Sequence, residues 1–144
     1  MKKYLLNTVQ SLINRGTIKF NGGNSIGIQV YAPNYANYKG HGNAVINIVN
    51  EKTGVIELRG DSSVGMKLSS QVKKIVKFEN EGKIIDNNSG SNNTGMFAKV
   101  AANNNLYTTK NSGTITLGNS SALTNPSVGM YTNATSVGTN PLIN

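Results

Sequence analysis

The chain has 144 residues, one domain's worth of material, with 14 basic residues, six acidic residues and a formal charge of +8. It contains no cysteine, which excludes disulfides and thiolate metal sites. Its 23 asparagines and 16 glycines suit a protein rich in tight turns and poor in large helical faces.

The chain starts with Met1-Lys2-Lys3-Tyr4-Leu5-Leu6, which opens like a signal peptide, but polar Asn7, Gln10 and Ser11 interrupt it before an apolar region forms. Nothing approaches a membrane-spanning apolar stretch, so an export signal or anchor is expected outside these residues. Residues 1–12 are taken as a lead-in, 13–134 as a repeat region and 135–144 as a tail that reads like a chain cut in mid-loop.

Within the repeat region a two-part element recurs four times. The first copy is Gly16-Thr17-Ile18-Lys19-Phe20 followed by Ser25-Ile26-Gly27-Ile28-Gln29-Val30. The second is Gly54-Val55-Ile56-Glu57-Leu58 followed by Ser63-Val64-Gly65-Met66-Lys67-Leu68. The third is Gly82-Lys83-Ile84-Ile85 followed by Asn93-Thr94-Gly95-Met96-Phe97-Ala98. The fourth is Gly113-Thr114-Ile115-Thr116-Leu117 followed by Ser127-Val128-Gly129-Met130-Tyr131. The leading glycines lie 38, 28 and 31 residues apart, a spacing typical of solenoids.

Apolar residues alternate with polar ones or glycine in both parts, the signature of half-buried strands. Ile26, Ile28 and Val30 are expected inward, as are Val64, Met66 and Leu68. A further strand is expected before each leading glycine, at 9–13, 45–49, 75–78 and 106–109. Three short strands per repeat with no helical segment predict an all-β, right-handed parallel β-helix of about four coils. Equivalent strands would stack about 4.8 Å apart. Ile18, Ile56, Ile84 and Ile115 would form one internal ladder, and Ile28, Met66, Met96 and Met130 another. Each coil would complete its neighbour's core.

Asn14, Asn80 and Asn111 stand two residues before their leading glycines, and Asn50 stands four before. Asparagine suits the turn there, and stacked copies can bond one another as a ladder. Asp86 falls where the other copies have Phe20, Leu58 and Leu117. A carboxylate in the core is costly, so the strand is expected to end early at Ile84-Ile85. The longest insertions are residues 31–43 and 118–126.

The phrases Asn111-Ser112-Gly113-Thr114-Ile115-Thr116-Leu117-Gly118 and Ser127-Val128-Gly129-Met130-Tyr131-Thr132-Asn133 resemble passenger repeats of large type V autotransporter adhesins of the fusobacterial kind. The resemblance spans roughly residues 13–134 and consists of core and turn residues. It implies a passenger fragment displayed at the cell surface, reaching the outer membrane only through a C-terminal β-barrel absent here. The partners it implies are glycans or proteins of host-cell or bacterial surfaces.

Few residues suggest catalysis. Polysaccharide-cleaving β-helix enzymes need converging carboxylates. Gly60 separates Glu57 from Asp61, and a turn at Asn80 is expected to separate Glu79 from Glu81. His41, the single histidine, has no neighbouring cysteine or carboxylate, so no metal site is expected. The lysines are scattered along the chain, unlike a nucleic-acid reader, and Gly22-Gly23 is not placed as a phosphate cradle. No cofactor and no enzymatic activity are expected. The other reading is a carbohydrate-active β-helix enzyme with its active coils elsewhere.

Binding is expected at the aromatic insertion, through Tyr31, Tyr35, Tyr38 and Lys39, because tyrosine joins a flat apolar face to a polar tip. A second surface is the outward row Gln29, Lys67, Phe97 and Tyr131.

Overall fold

The computed structural model describes residues 9–32, 45–70, 75–87, 90–100, 108–118, 126–134 and 142–143. These residues contain strands and turns and no helix. The first coil comprises β1 (Val9–Asn14), β2 (Thr17–Lys19) and β3 (Ile26–Ala32). The second comprises β4 (Val45–Asn50), β5 (Val55–Leu58) and β6 (Val64–Ser70). β7 (Ile75–Asn80), β8 (Lys83–Asp86) and β9 (Thr94–Val100) form the third. β10 (Thr108–Asn111), β11 (Thr114–Thr116) and β12 (Val128–Ala134) form the fourth, and β13 (Leu142–Ile143) follows.

Every pairing joins strands three apart in the chain, and every pairing is parallel. The first sheet runs β1-β4-β7-β10-β13, the second β2-β5-β8-β11 and the third β3-β6-β9-β12. This is the parallel β-helix that the repeat predicts. Its crossovers are of the kind that is right-handed in nearly all known cases. Leu142 and Ile143, expected in a tail, add a fifth strand to the first sheet opposite Thr109 and Lys110.

The expected ladders form. Ile18, Ile56, Ile84 and Ile115 are in register through the second sheet. Ile28, Met66, Met96 and Met130 are in register through the third. In the middle coils Ile56, Ile84, Met66 and Met96 are fully buried, whereas Ile18, Ile115 and Met130 are only partly so. Fully burying such a side chain stabilises by about 1.5–3 kcal/mol, so the central coils hold most of the core energy. The first sheet contributes Ile48 and Phe78 to the same core.

One detail of the alternation is corrected. In the third sheet the inward place before Met66 belongs to Gly65, not Val64. A Cβ on Gly65 would lie 2.6 Å from Cγ2 of Ile84 and 2.7 Å from the Gly95 carbonyl oxygen. The isoleucine ladder of the neighbouring sheet fills that space. Val64 is half-buried and its equivalent Val128 is 37% exposed.

Two polar ladders join the sheets. At the first corner Asn14, Asn50, Asn80 and Asn111 stack as expected. Each Nδ2 donates to the next Oδ1, at 2.8, 2.7 and 2.7 Å. At the second corner the ladder is Ser25, Ser63, Asn93 and Ser127. Here each backbone N–H donates to the side-chain oxygen of the next coil, at 3.2, 2.7 and 3.1 Å. Asn24, Ser62 and Asn92, which precede the first three rungs, have φ of 56°, 58° and 58°. Such left-handed conformations favour asparagine and glycine. The fourth rung follows Pro126, whose ring locks φ near about −65°, so the chain enters it differently.

Asp86 does not end its strand early. It is the last residue of β8, in register with Leu58, and is 7% exposed. Its Oδ2 accepts from Asn93 Nδ2 at 2.8 Å and from the Gly118 N–H at 3.3 Å. A carboxylate is tolerated in an aliphatic row because the same coil has asparagine where the others have serine. Asn93 keeps the rung through Oδ1 and uses its amide to satisfy Asp86 and the Gly60 carbonyl.

Candidate functional site

The outward residues of the third sheet lie between buried neighbours, Lys67 between Met66 and Leu68, and Phe97 between Met96 and Ala98. Parallel in-register pairing then stacks like positions on one another. Gln29 is opposite Lys67, Lys67 opposite Phe97 and Phe97 opposite Tyr131. The Phe97 and Tyr131 rings stack with centroids 5.3 Å apart and planes within 13°. The Lys67 ammonium sits 5.8 Å from the Phe97 centroid, just inside the range of a cation–π contact. Tyr131 is 42% exposed, a large aromatic surface to leave in water. The outward row expected from the alternation is therefore a continuous strip of amide, ammonium and two coupled rings.

A second outward position pairs Ser69 with Lys99, and Lys99 is exposed. None of the four strands of this sheet contains Asp or Glu. On the other sheets and the first corner, by contrast, three cations meet acids. Arg15 grips Glu51 through two bonds of 2.7 and 3.1 Å, Lys19 reaches Glu57 at 3.0 Å, and Lys77 lies 3.8 Å from Glu79. The Arg15 hydrogen bonds hold the Glu51 carboxyl below its usual range. Asp61 accepts from the Ser91 N–H at 2.7 Å and the Ser91 hydroxyl at 3.0 Å, and these bonds lower its pKa in the same way.

Three of the carboxylates considered for catalysis, Glu57, Asp61 and Glu79, have structural partners. Glu57 pairs with Lys19, Asp61 ties one turn to the next coil, and Glu79 and Glu81 fall on either side of the Asn80 rung. Among the described residues no group of three or more His, Cys, Asp or Glu is placed to hold a metal ion. His41 lies outside the described residues.

Of the residues expected to bind, Tyr31 is placed in β3 with its backbone opposite Ser69. Tyr35, Tyr38 and Lys39 lie outside the described residues. Lys99 was missed by the sequence reading, although the same alternation that exposes Phe97 exposes it. Comparisons with protein-family models, with curated proteins and with solved structures find no match for this chain.

Proposed function

We propose that the chain is a non-catalytic, surface-displayed segment of an adhesin-like β-helix, a rigid solenoid whose outer features bind molecules of host-cell or bacterial surfaces. The observation that carries this reading is the Lys67–Phe97–Tyr131 strip, an exposed and preordered row on a core that supplies its own rigidity. Preordered aromatic surface binds at low entropic cost, because little conformational freedom is left to lose. The resemblance to type V autotransporter passengers supports display outside the outer membrane. The engagement of the carboxylates in ion pairs and turns supports a role other than hydrolysis.

Beads coated with the folded chain should adhere to epithelial cells or bacterial surfaces above the level of beads coated with an unrelated protein. Tyr131→Ala and the double change Tyr35→Ala/Tyr38→Ala then locate the contact on the sheet or on the tyrosine insertion. Absence of adhesion by the unaltered chain would reduce this segment to a spacer. Turnover of a polysaccharide that is abolished by Glu57→Gln or Asp61→Asn would overturn the non-catalytic reading.

A further inference from the structure

The charges of this chain are sorted by the fold. The segments from each third-sheet strand to the next first-sheet strand are residues 26–44, 64–74, 94–107 and 128–141. They hold five lysines and no acidic residue. The rest of the chain holds nine basic and all six acidic residues. Within the described residues, Lys67 and Lys99 face outward on the third sheet without a carboxylate partner, beside the Phe97–Tyr131 stack. An aromatic ring has a negative face and a positive edge. Lys67 sits toward the negative face of Phe97, and the field of the strip is positive overall.

We infer that the outer face of the third sheet binds a linear acidic polysaccharide laid along the coil axis. Lys67 and Lys99 pair with its anionic groups, and the exposed Tyr131 ring packs against a sugar. This deepens the binding role proposed above and rests on it. The rungs advance by about 4.8 Å, close to the rise per ring of an extended pyranose chain, so one ligand can meet successive coils in repeating fashion. A neutral glycan would leave both ammonium groups unmatched. A nucleic-acid strand carries one phosphate per nucleotide and draws its affinity from many phosphate contacts, more than two lysines on the strip provide. A protein partner needs an interface of roughly 1,000 Å² or more with matched shape, whereas this strip is narrow and regular.

The test uses the whole chain and polygalacturonate as the probe, with binding followed by calorimetry at about 0.15 M ionic strength. The unaltered chain should bind. Tyr131→Ala should bind about ten-fold more weakly, as expected for loss of one stacking ring, while Tyr131→Phe should retain binding. The double change Lys67→Ala/Lys99→Ala should weaken binding and flatten its dependence on salt. Tyr131, Lys67 and Lys99 point away from the core, so unchanged far-UV circular dichroism checks that each variant is folded. Poly-glutamate and oligo-dT should bind more weakly than the polysaccharide. The inference is overturned if polygalacturonate does not bind, if Tyr131→Ala binds as well as the unaltered chain, or if poly-glutamate or oligo-dT binds equally well. Chain-coated beads that adhere to cells without binding polygalacturonate would sink this inference alone and leave the adhesive reading standing.

Discussion

The two corners of the coil meet the same requirement in different ways. At the first corner four asparagines repeat one bond geometry, each amide donating to the next coil's side-chain oxygen. At the second corner Ser63, Asn93 and Ser127 accept from the backbone N–H groups of the preceding rungs. The first ladder is uniform, asparagine at all four rungs. The second carries a substitution, Asn93, coupled to another, Asp86, across the corner. A repeat can therefore drift in one coil when two changes satisfy each other, and the uniform corner shows what the undisturbed solution is.

The severest way to break this comparison is at the uniform corner. Asn80 bonds to both neighbouring rungs and is fully buried. Asn80→Ala should destabilise the fold by about 2–4 kcal/mol, since it strips partners from buried polar groups above and below. Urea unfolding measures this directly, and a loss within the noise would show that the ladder is not structural.

At the second corner the two changes should fail to add. Asn93→Ser removes the amide that serves the Asp86 carboxylate and should cost about 2 kcal/mol. Asp86→Leu restores the aliphatic row but leaves the Asn93 amide with Gly60 alone of these two acceptors, at a cost of about 1 kcal/mol. The double variant returns the coil to the pattern of its neighbours and should be more stable than the sum of the singles by about 1–3 kcal/mol. Strict additivity in a double-mutant cycle would show that the pair is not coupled.

Gly65, just past the second corner, sharpens the comparison between that corner and the packed core behind it. Gly65→Ala drives a methyl group against Ile84 and the Gly95 carbonyl and should cost about 1–3 kcal/mol. A thermal melt checks it, and an unchanged midpoint would mean that the sheets can separate locally.

The smallest effect lies on the outer turns. Asp61 and Glu51 have folded-state pKa values below their ordinary 3.8 and 4.5. A depressed carboxyl contributes stability that is whole above its ordinary value and disappears as pH falls through the lower folded value. Asp61→Asn should therefore destabilise slightly at about pH 6, and the gap should narrow as pH falls below the ordinary carboxyl value. Because Asp61 is exposed, salt should shrink the difference, and a gap independent of pH would assign it to lost hydrogen bonds rather than to charge.

The strands before the leading glycines were legible because alternation and turn residues are local signals. Of the strand expected at 106–109, residues 106 and 107 lie outside the described residues, and each of the four strands ends on its ladder asparagine. The asparagine ladder was legible for a related reason, since its members hold one place relative to the turn. The outward row followed from period two. Three things were not legible. The pairing of Asp86 with Asn93 spans seven residues around a corner, where neither strand periodicity nor repeat alignment describes proximity. The inward place of Gly65 depends on an isoleucine from another coil and another sheet. The contact between Lys67 and Phe97 depends on side-chain direction as well as register.

By itself the sequence determined the number of coils, three strands to each, and which residues stack on which. In a parallel β-helix each coil repeats the last, so aligning the copies is equivalent to aligning the strands in space. Only the tertiary structure decided how the charges are distributed. Lys19 and Lys77, on the second and first sheets, meet carboxylates, whereas Lys67 and Lys99 on the third stand without them among the described residues. The reason is geometric. Closing the coil sends the acidic residues to two sheets and the corners and leaves none on the third, a sorting by face that no local pattern records.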